Sequence, residues 1–385
     1  MRHSPAWSTP EAHLLRTRPD RAQLYIAPAV LQATARRFHA GFPGLVTYAV
    51  KANARDEVLT NLVAAGLDTF DVASVDEMQM IRRVCPGAVL HYNNPIRSKA
   101  EIAEAIRLGA YSWSVDDMAQ LDKLAEVPAE CEISVRFALP VRGAVYDFGK
   151  KFGATPDAAV ELLKAVAASG RVPALCFHPG TQCTDPEAWT AYITEAARIA
   201  DRAGVTIARL NVGGGFPSSR DGDDSGGDAG TCPPLEAIFD AIARATKTAF
   251  GDNAPALLCE PGRAMVAEAF TLVARIKALK HEGGTVFLND GIYGGLSECR
   301  DLGLSGRVRV VSPEGQVRRA TRTPRVVFGP TCDSLDRLPD GLPLPADAAE
   351  DDYVMFGAMG AYSIAIGTRF NGYGLDDVVT VQQLT

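Results

Sequence analysis

Hydrophobic and polar residues follow two different periods along the chain, and the change of period divides it into two regions. Between about residues 45 and 260, short β-prone apolar runs are each followed by a polar or glycine-containing loop and then by an alanine- and leucine-rich stretch with helical spacing. The predicted strands lie at residues 45–50, 69–73, 88–92, 111–115, 132–137, 174–178, 207–212 and 256–260. The predicted helices between them include residues 98–108, 157–168, 186–202 and 234–249. Eight strands that alternate with helices predict an α/β fold, a closed parallel (β/α)8 barrel of the TIM type.

After residue 260 the helical spacing gives way to short β-rich runs, which predict a C-terminal all-β domain, a β-sandwich or barrel-like fold. These runs lie at residues 271–278, 285–289, 307–311, 325–328, 353–356 and 378–382. Residues 23–26 (QLYI) are expected to add a strand to the same domain. We therefore assign residues 28–268 to the barrel, and residues 1–27 and 269–385 to the β-domain. Residues 218–231, rich in Gly, Asp and Ser, are predicted to form a mobile surface insertion without chemistry.

Composition and charge exclude several classes of function. The 385 residues are 47% hydrophobic, and 39 basic against 46 acidic side chains give a net charge of −7. Without a basic block, neither nucleic acid nor a membrane surface is an expected partner, so small-molecule chemistry is favoured. The eight cysteines show no C-x-x-C pair and no nearby histidine at metal-ligand spacing, which argues against a metal site. Residues 1–5 lead into no apolar signal segment, and we expect a reducing cytoplasm.

Polar side chains recur where the predicted barrel strands end, the place where barrel enzymes collect their reactive groups. Lys51 directly follows the first strand, where a lysine can act as a Schiff-base nucleophile or can simply reach for solvent. The other polar residues at strand ends are Asp71, Glu77, Asn93, Asn94, Arg136, His178 and Glu260. So many polar groups at one end of a barrel indicate a ligand.

A glycine run and four side chains together indicate the kind of ligand. Gly213, Gly214 and Gly215 expose backbone N–H groups to a phosphate, although such a run can also be a flexible turn. His178 alone could be a core histidine, and Cys332 an inert loop thiol. Together with Lys51 and the carboxylate of Glu260, however, they describe a pocket for pyridoxal 5′-phosphate.

The ordered motifs resemble those of the fold-type III pyridoxal-phosphate decarboxylases, the ornithine and diaminopimelate decarboxylase family. The resemblance extends from about residue 23 to residue 372. It rests on residues 48–53 (YAVKAN), 70–74 (FDVAS), 178–181 (HPGT), 213–217 (GGGFP), 260–263 (EPGR), 329–333 (GPTCD) and 360–362 (GAY).

This resemblance implies a role for each matching residue. Lys51 would bind the cofactor covalently, Glu260 would keep the pyridine nitrogen protonated, and His178 would stack on the ring. Cys332 would return a proton to the substrate carbon from the neighbouring subunit, so the resemblance implies a homodimer with shared active sites. The remaining cofactor-binding residues would be Asp71, Arg136, Thr181 (in place of a frequent serine), Gly213, Gly214, Gly215, Gly262, Arg263 and Tyr362, and Glu77 would line the same site.

The resemblance also implies the substrate class, a basic L-amino acid. Ornithine or lysine would give putrescine or cadaverine and CO2, a reaction of polyamine biosynthesis. The expected substrate-binding residues are Tyr293, Glu298, Asp301, Asp333 and Phe370. The ornithine type carries an acid where Leu302 stands, with Asp301 one place early, which argues against a simple ornithine site. The pair Cys332-Asp333 resembles the ornithine type more than the diaminopimelate type.

Other functions remain open on this sequence. The same fold could decarboxylate a diaminopimelate-like or modified amino acid, or it could serve as a non-catalytic regulator that binds a partner. A racemase is disfavoured because those enzymes place an arginine at the ring nitrogen. The presence of Lys51, Glu260 and Cys332 favours an enzyme over a regulator.

Overall fold

The computed structural model describes residues 7–140, 151–219, 232–303, 306–339, 341–376 and 378–385. Most of the predicted insertion at 218–231, and the chain start at 1–5, therefore lie outside the described residues. Two compact units are present. One contains the described residues of 34–217 and 230–265, here called the barrel unit, and the other contains those of 1–33, 218–229 and 266–385, here called the β unit.

The described residues form seventeen strands, most of which are four to six residues long. They are β1 (Gln23–Ile26), β2 (Leu45–Val46), β3 (Tyr48–Ala49), β4 (Thr69–Val72), β5 (Val89–Tyr92), β6 (Ala110–Val115), β7 (Glu132–Arg136), β8 (Val172–Cys176), β9 (Arg209–Asn211), β10 (Ala256–Cys259), β11 (Phe270–Lys280), β12 (Thr285–Leu288), β13 (Val308–Val311), β14 (Arg322–Phe328), β15 (Leu342–Pro345), β16 (Tyr353–Gly357) and β17 (Val378–Thr380).

Eleven α-helices occur in the same described ranges. They are α1 (Pro10–Thr17), α2 (Pro28–Gly41), α3 (Asp56–Ala64), α4 (Val75–Val84), α5 (Lys99–Arg107), α6 (Met118–Asp122), α7 (Pro156–Ala168), α8 (Glu187–Ala203), α9 (Leu235–Phe250), α10 (Arg263–Val266) and α11 (Cys299–Leu302). Side-chain caps start several of them: Ser98 and Glu101 form a capping box at α5, and Thr155 caps α7 ahead of a proline at its first position.

The nine strands β2 to β10 form one parallel sheet in the order β2-β10-β9-β8-β7-β6-β5-β4-β3. The single predicted run at 45–50 contains both end strands, because β2 pairs with β10 and β3 pairs with β4. Thr47, at the break, donates its N–H and its hydroxyl to the carbonyl of Cys259. One segment thus joins both edges of the sheet and closes it, and the predicted (β/α)8 fold is confirmed.

The β unit contains the predicted β-rich region as an eight-stranded sheet. Its main path is β13-β16-β11-β12-β14-β15, and β1 pairs antiparallel with β11 and parallel with β17. The prediction that residues 23–26 add a strand to this sheet is therefore confirmed. The sequence pattern did not predict the helices α1 and α11 or the strand β15. β15 has the sequence Leu-Pro-Leu-Pro, and proline is tolerated at this position because the strand lies at the end of the sheet path.

An aromatic cluster is prominent in the core of the barrel unit. The ring of Phe216 stacks on Trp189 with a centroid separation of 5.3 Å and meets the edges of Phe38 and Phe239 at 5.5 and 5.8 Å. All four side chains are buried. Such ring pairs contribute beyond the burial of their area, so the segment that follows residues 213–215 is held firmly in the core.

No helix in the described part of the chain combines the length and the apolar character needed to cross a membrane.

We predict that Phe216→Ala lowers the free energy of unfolding by about 3–5 kcal/mol, because it removes a large buried ring and leaves a cavity among three other rings. Leu335→Ala is the control, since Leu335 is 71% exposed, and it should change stability by less than about 0.5 kcal/mol. Urea unfolding followed by fluorescence measures both variants. Equal stability of Phe216→Ala and wild type would contradict this account of the core.

Candidate active site

The polar residues predicted at strand ends lie at one edge of the barrel sheet. All strands of this sheet are parallel, so their carboxyl ends point the same way. Asp71 is in β4, Arg136 and Asn211 end β7 and β9, and Asn93 and Glu260 directly follow β5 and β10. The carboxyl edge of a parallel barrel is where such residues meet around a ligand.

Lys51 lies in a single turn of 3-10 helix (Val50–Ala52) immediately after β3. This turn is fixed by the Tyr48 hydroxyl, which donates to the carbonyl of Asn53 at 2.9 Å, and by the N–H of Asn53, which donates to the carbonyl of Val50. The Lys51 amine lies 3.6 Å from a carboxylate oxygen of Asp71, while its side chain remains 48% exposed. The amine is thus held at the barrel edge and stays accessible to a ligand.

Two buried carboxylates, Asp71 and Glu260, are the electrostatic centre of the site. Burial raises the pKa of Asp71, against the lowering effects of Lys51 and of a hydrogen bond from Asn93. Burial, and then the negative charge of Asp71, raise the pKa of Glu260 to about 7. Asn93 and Asn211 both donate their side-chain N–H groups to the same Glu260 oxygen, Oε1. Two amide donors on one oxygen fix the direction of this carboxylate.

Glu77 supports the loop after β4. Its carboxylate accepts the N–H of Ala73 at 2.6 Å, and its own N–H donates to the hydroxyl of Ser74, the N-cap of α4. Burial, and the neighbouring charge of Asp71, raise the pKa of Glu77 to about 7. Glu77 therefore belongs to the same electrostatic cluster as Asp71, while its hydrogen bonds show a structural role.

His178 follows β8 and is half-buried. Its Nδ1 accepts the N–H of Gly180 at 3.0 Å, so Nε2 carries the proton of the neutral ring. Desolvation, and then the charges of Arg136 and Lys51, hold the pKa of His178 well below its ordinary value. A neutral imidazole can lie flat against a cationic aromatic ring without charge repulsion.

The glycine turn at residues 213–215 packs directly against these groups. Gly213 and Gly215 have positive φ angles of 68° and 80°. A Cβ on Gly214 would lie 2.7 Å from the Glu260 carbonyl oxygen and 3.2 Å from Nε2 of His178. The turn therefore requires bare backbone, because any side chain would displace Glu260 and His178.

These residues fit a pyridoxal phosphate group. The lysine amine, the buried carboxylate and the neutral imidazole match the aldehyde, the ring nitrogen and the ring face, and the bare glycine turn suits the phosphate. The Oδ1 atom of Asn93 is buried and has no hydrogen-bond partner among the described protein atoms, so a ligand donor could satisfy it. Arg136 is close enough to influence Asp71 and Glu260 electrostatically.

The other predicted cofactor residues are Thr181, Gly262 and Arg263 in the barrel unit and Tyr362 in the β unit. Thr181 is buried next to Gly180, whose carbonyl approaches Gly215. Gly262 packs against Ala49, which precedes the Lys51 turn, and against Ala52, which ends it, and the buried Arg263 begins α10. Tyr362, in the β unit, is half-buried and has a positive φ of 61°.

Within the β unit, three of the predicted substrate residues form one cluster with the loop of Cys332. The Tyr293 hydroxyl donates to the Asp333 carboxylate at 2.6 Å, and the ring of Phe370 meets Tyr293 edge-on at 5.3 Å. The bond from Tyr293, and then one from the N–H of Leu335, lower the pKa of Asp333. Cys332 is exposed, and its N–H donates to Asn371 at 3.0 Å.

The other two predicted substrate residues behave differently. Asp301 is exposed and pairs with the adjacent Arg300 at 3.3 Å, whereas Glu298 is buried at the start of α11. A carboxylate that the sequence analysis overlooked, Asp336, is buried and accepts the N–H groups of Ile292 and Thr331. It thereby joins the loop of Tyr293 to that of Cys332.

Sequence reasoning also missed what Asn93 and Asn211 do. Both lie at strand ends, which was the signal that drew attention to the charged residues, but an amide side chain says nothing about which carboxylate it serves. Glu260 accepts from both amides because the folded sheet brings the carboxyl ends of β5, β9 and β10 to one edge.

Comparison with known proteins identifies the family. Residues 29–267 match the model of the pyridoxal-binding domain of pyridoxal-dependent decarboxylases. The chain is 32% identical to the lysine/ornithine decarboxylase of Selenomonas ruminantium, covering 86% of this chain and 81% of that protein. It is 31% identical to mouse ornithine decarboxylase, covering 85% and 73%. The crystal structure of the Vibrio vulnificus lysine/ornithine decarboxylase with cadaverine superposes with a TM-score of 0.82 at 25% identity, covering 97% of each chain.

The family model covers more than half of the chain, and the curated relatives align along most of it. The residues at the carboxyl edge of the barrel in this chain fit pyridoxal phosphate, the cofactor of this family. The chain therefore belongs to the fold-type III pyridoxal-phosphate-dependent decarboxylases, the family of the ornithine and lysine decarboxylases.

Proposed function

We propose that this protein decarboxylates a basic L-amino acid, ornithine or lysine, to putrescine or cadaverine and CO2. The observation that carries the proposal is the cluster of Lys51, Asp71 and Glu260 at the carboxyl edge of the barrel. The similarity to lysine/ornithine decarboxylases, one of them solved with cadaverine, supports the substrate class.

Each residue of the barrel unit has a task that its surroundings explain. When bound, pyridoxal phosphate supplies an electron sink for the pair left behind when CO2 departs. Lys51 would hold the cofactor through its side-chain amine. Glu260, oriented by two amide donors, would hold a proton at the ring nitrogen, and His178 would hold the cofactor ring and limit access of water.

The Asp333 carboxylate is the group we assign to the distal ammonium of the substrate. Its lowered pKa keeps it ionised, and the Tyr293 hydroxyl fixes its direction. Phe370, packed on Tyr293, offers an apolar surface to the methylene groups of the substrate. A diamino acid needs both an anion and an apolar wall of this kind.

The Cys332 thiol is proposed to protonate the substrate carbon after CO2 leaves. The thiol is exposed on the β unit, and we propose that it acts in the site of a neighbouring copy. The functional form would then be a homodimer in which the β-domain contributes to the interface and to the active site.

A second candidate function is decarboxylation of another or modified amino acid. It is favoured by one observation: Asp301 turns to Arg300, and Leu302 occupies the place where the ornithine type has an acid. A substrate without a distal ammonium would not need an acid at the place that Leu302 occupies.

We predict that the protein with added cofactor releases CO2 from ornithine or lysine, and that Lys51→Ala loses both this activity and the visible absorbance of the bound cofactor. The reason is that the amine is the only covalent anchor assigned to the cofactor. A panel of amino acids that includes arginine and diaminopimelate, with detection of CO2 and amine, measures specificity. Lys164→Ala, a surface lysine paired with Glu161, is the control. Turnover of a substrate outside the basic class, with none of ornithine or lysine, would replace the first function with the second.

A shared active site predicts complementation between two inactive variants. Co-expressed Lys51→Ala and Cys332→Ala chains should recover about a quarter of wild-type activity, because half of the randomly formed dimers contain one intact site of two. Each variant expressed alone should be slower by about 10²- to 10⁴-fold. If co-expression restores nothing although mixed dimers are isolated through two affinity tags, the thiol and the lysine belong to the same subunit.

We predict that the stability that Glu77 and Glu260 contribute to the cofactor-free protein is lost as pH rises from about 4.5 to 7, while the lowered pKa values of His91 and His178 give a trend of the opposite sign. The pKa values of Glu77 and Glu260 are raised to about 7 in the folded state, so these two groups bind more protons in the folded chain than in the unfolded chain in this window. This contribution is fully present below the unfolded pKa and is lost as pH rises through the folded pKa. Urea midpoints from pH 4.5 to 8 measure the slope, and Glu260→Gln should reduce it. An unchanged slope in that variant would show that Glu260 is already ionised throughout.

A further inference from the structure

The turn that contains Phe370 is joined to the loop of Tyr293 by several hydrogen bonds. The N–H and the hydroxyl of Thr368 both donate to the carbonyl of Tyr293, at 2.7 and 3.0 Å, and the same hydroxyl accepts the N–H of Phe370 at 3.2 Å. Arg369, between them, forms an ion pair with Asp376. The turn therefore has a fixed place beside Tyr293, from which it can hold another part of the β unit.

Asn371, in the middle of this turn, has a rare backbone conformation. Its φ and ψ angles of 53° and 18° lie in the left-handed region, and Gly372 follows with a φ of 79°. A Cβ disfavours this conformation, so glycine adopts it most easily, and asparagine is one of the few other residues that tolerate it. A side chain at position 371 therefore has a conformational cost, and its contact shows what it contributes.

The side chain of Asn371 holds the backbone at Cys332. Its Oδ1 accepts the N–H of Cys332 at 3.0 Å, and among the described residues this is the only hydrogen bond that a backbone group of Cys332 forms. The preceding residue is held elsewhere, because Thr331 donates its N–H and its hydroxyl to Asp336 at 3.1 and 2.8 Å. The Asn371 amide is thus the group that acts on the peptide of Cys332 itself.

A thiol that delivers a proton needs a defined direction. Cys332 is exposed, so packing within its own chain does little to confine it. Proton transfer to carbon requires the donor close to the acceptor, and a misplacement of about 1 Å can lower the rate about 10²-fold. Rotation of the peptide at Cys332 would swing its Cα–Cβ bond, and with it the sulfur, out of such a position.

We propose that Asn371 is a positioning residue, whose side-chain carbonyl holds the backbone of Cys332 and thereby aims the thiol. This role deepens the proposed function and rests on it, because that function makes Cys332 the proton donor. The hydrogen bond itself belongs to the protein without cofactor and is tested there first.

The first experiment measures hydrogen–deuterium exchange of the Cys332 amide in the cofactor-free protein, resolved to single residues by fragmentation mass spectrometry. Asn371→Gly keeps the left-handed turn and removes the acceptor, so exchange should become about fivefold faster, as expected for one lost hydrogen bond. Asn371→Asp keeps an oxygen acceptor in a residue that tolerates this conformation, and its exchange should stay within about twofold of wild type.

Asp351→Gly is the matched control. Asp351 is another left-handed residue of the β unit, with a φ of 73°, and its carboxylate pairs with Arg275 at 2.7 Å, away from the Cys332 loop. This variant should leave the exchange of the Cys332 amide unchanged. Thr368→Val, which removes the hydroxyl that joins the turn to Tyr293, should speed the exchange in the same direction as Asn371→Gly, and it takes the place of that variant if the glycine protein does not fold.

The second experiment follows the proton in the loaded enzyme. A proton that reaches the substrate carbon gives the diamine. A proton that goes to the former aldehyde carbon of the cofactor gives, after hydrolysis by one water, an aminoaldehyde and pyridoxamine phosphate, so the substrate carbon is oxidised while the cofactor is reduced. Asn371→Gly should raise the ratio of pyridoxamine phosphate to diamine by about fivefold and lower kcat, while KM stays within about twofold because Tyr293 and Asp333 keep their bond.

The outcomes separate the two proposals. Unchanged exchange at Cys332 in the folded Asn371→Gly and Thr368→Val proteins overturns the hold on the thiol, whatever the enzyme's activity. Faster exchange with a wild-type product ratio and kcat rejects the positioning role. Faster exchange in a protein that decarboxylates no basic amino acid supports the hydrogen bond and rejects the proposed function.

Discussion

The site depends on keeping several ionisable groups together where water is largely excluded. Burial raises the pKa values of Asp71 and Glu260, and the charge of Asp71 raises the pKa of Glu260 further. An isolated buried carboxylate would simply take up a proton. Lys51, Arg136 and the amide donors of Asn93 and Asn211 work against this. As a result, Glu260 has a pKa of about 7, and in the proposed function such a carboxyl group would share a proton with a basic ring nitrogen.

The backbone around residues 213–215 fixes the positions of Glu260 and His178. The glycine turn at 213–215 approaches Glu260 and His178 so closely that no side chain fits, and Asn211 ties Gly213 to the carboxylate through its two amide ends. Immediately after the turn, Phe216 enters the aromatic cluster of the barrel core. A buried ring directly after a bare turn gives the turn a fixed position, which a flexible glycine segment would otherwise lack.

The sequence predicted the strands well because their apolar runs are short and separated by clear turn signals. It could not show that residues 45–50 contain two strands, since the break at Thr47 follows from closure of the sheet and not from local preference. The charged residues of the site were recognisable at strand ends, where chemistry is expected. Asn93 was recognisable there too, but its contact with Glu260 was not, and Asp336 was overlooked, because these contacts join distant groups and depend on the folded chain.

In the proposed function, substrate selection would depend on how firmly each acid of the β unit is held. Asp336 joins two loops and is satisfied by backbone N–H groups, so it builds the site instead of binding a ligand. Asp301 is paired with Arg300. Asp333 differs from both, because it is half-buried, ionised and oriented by Tyr293. A distal ammonium anchored by one acid, instead of two at a fixed spacing, tolerates a change of one methylene in the substrate. Within the proposed function, a site that accepts both lysine and ornithine is therefore favoured over one that is strict for ornithine.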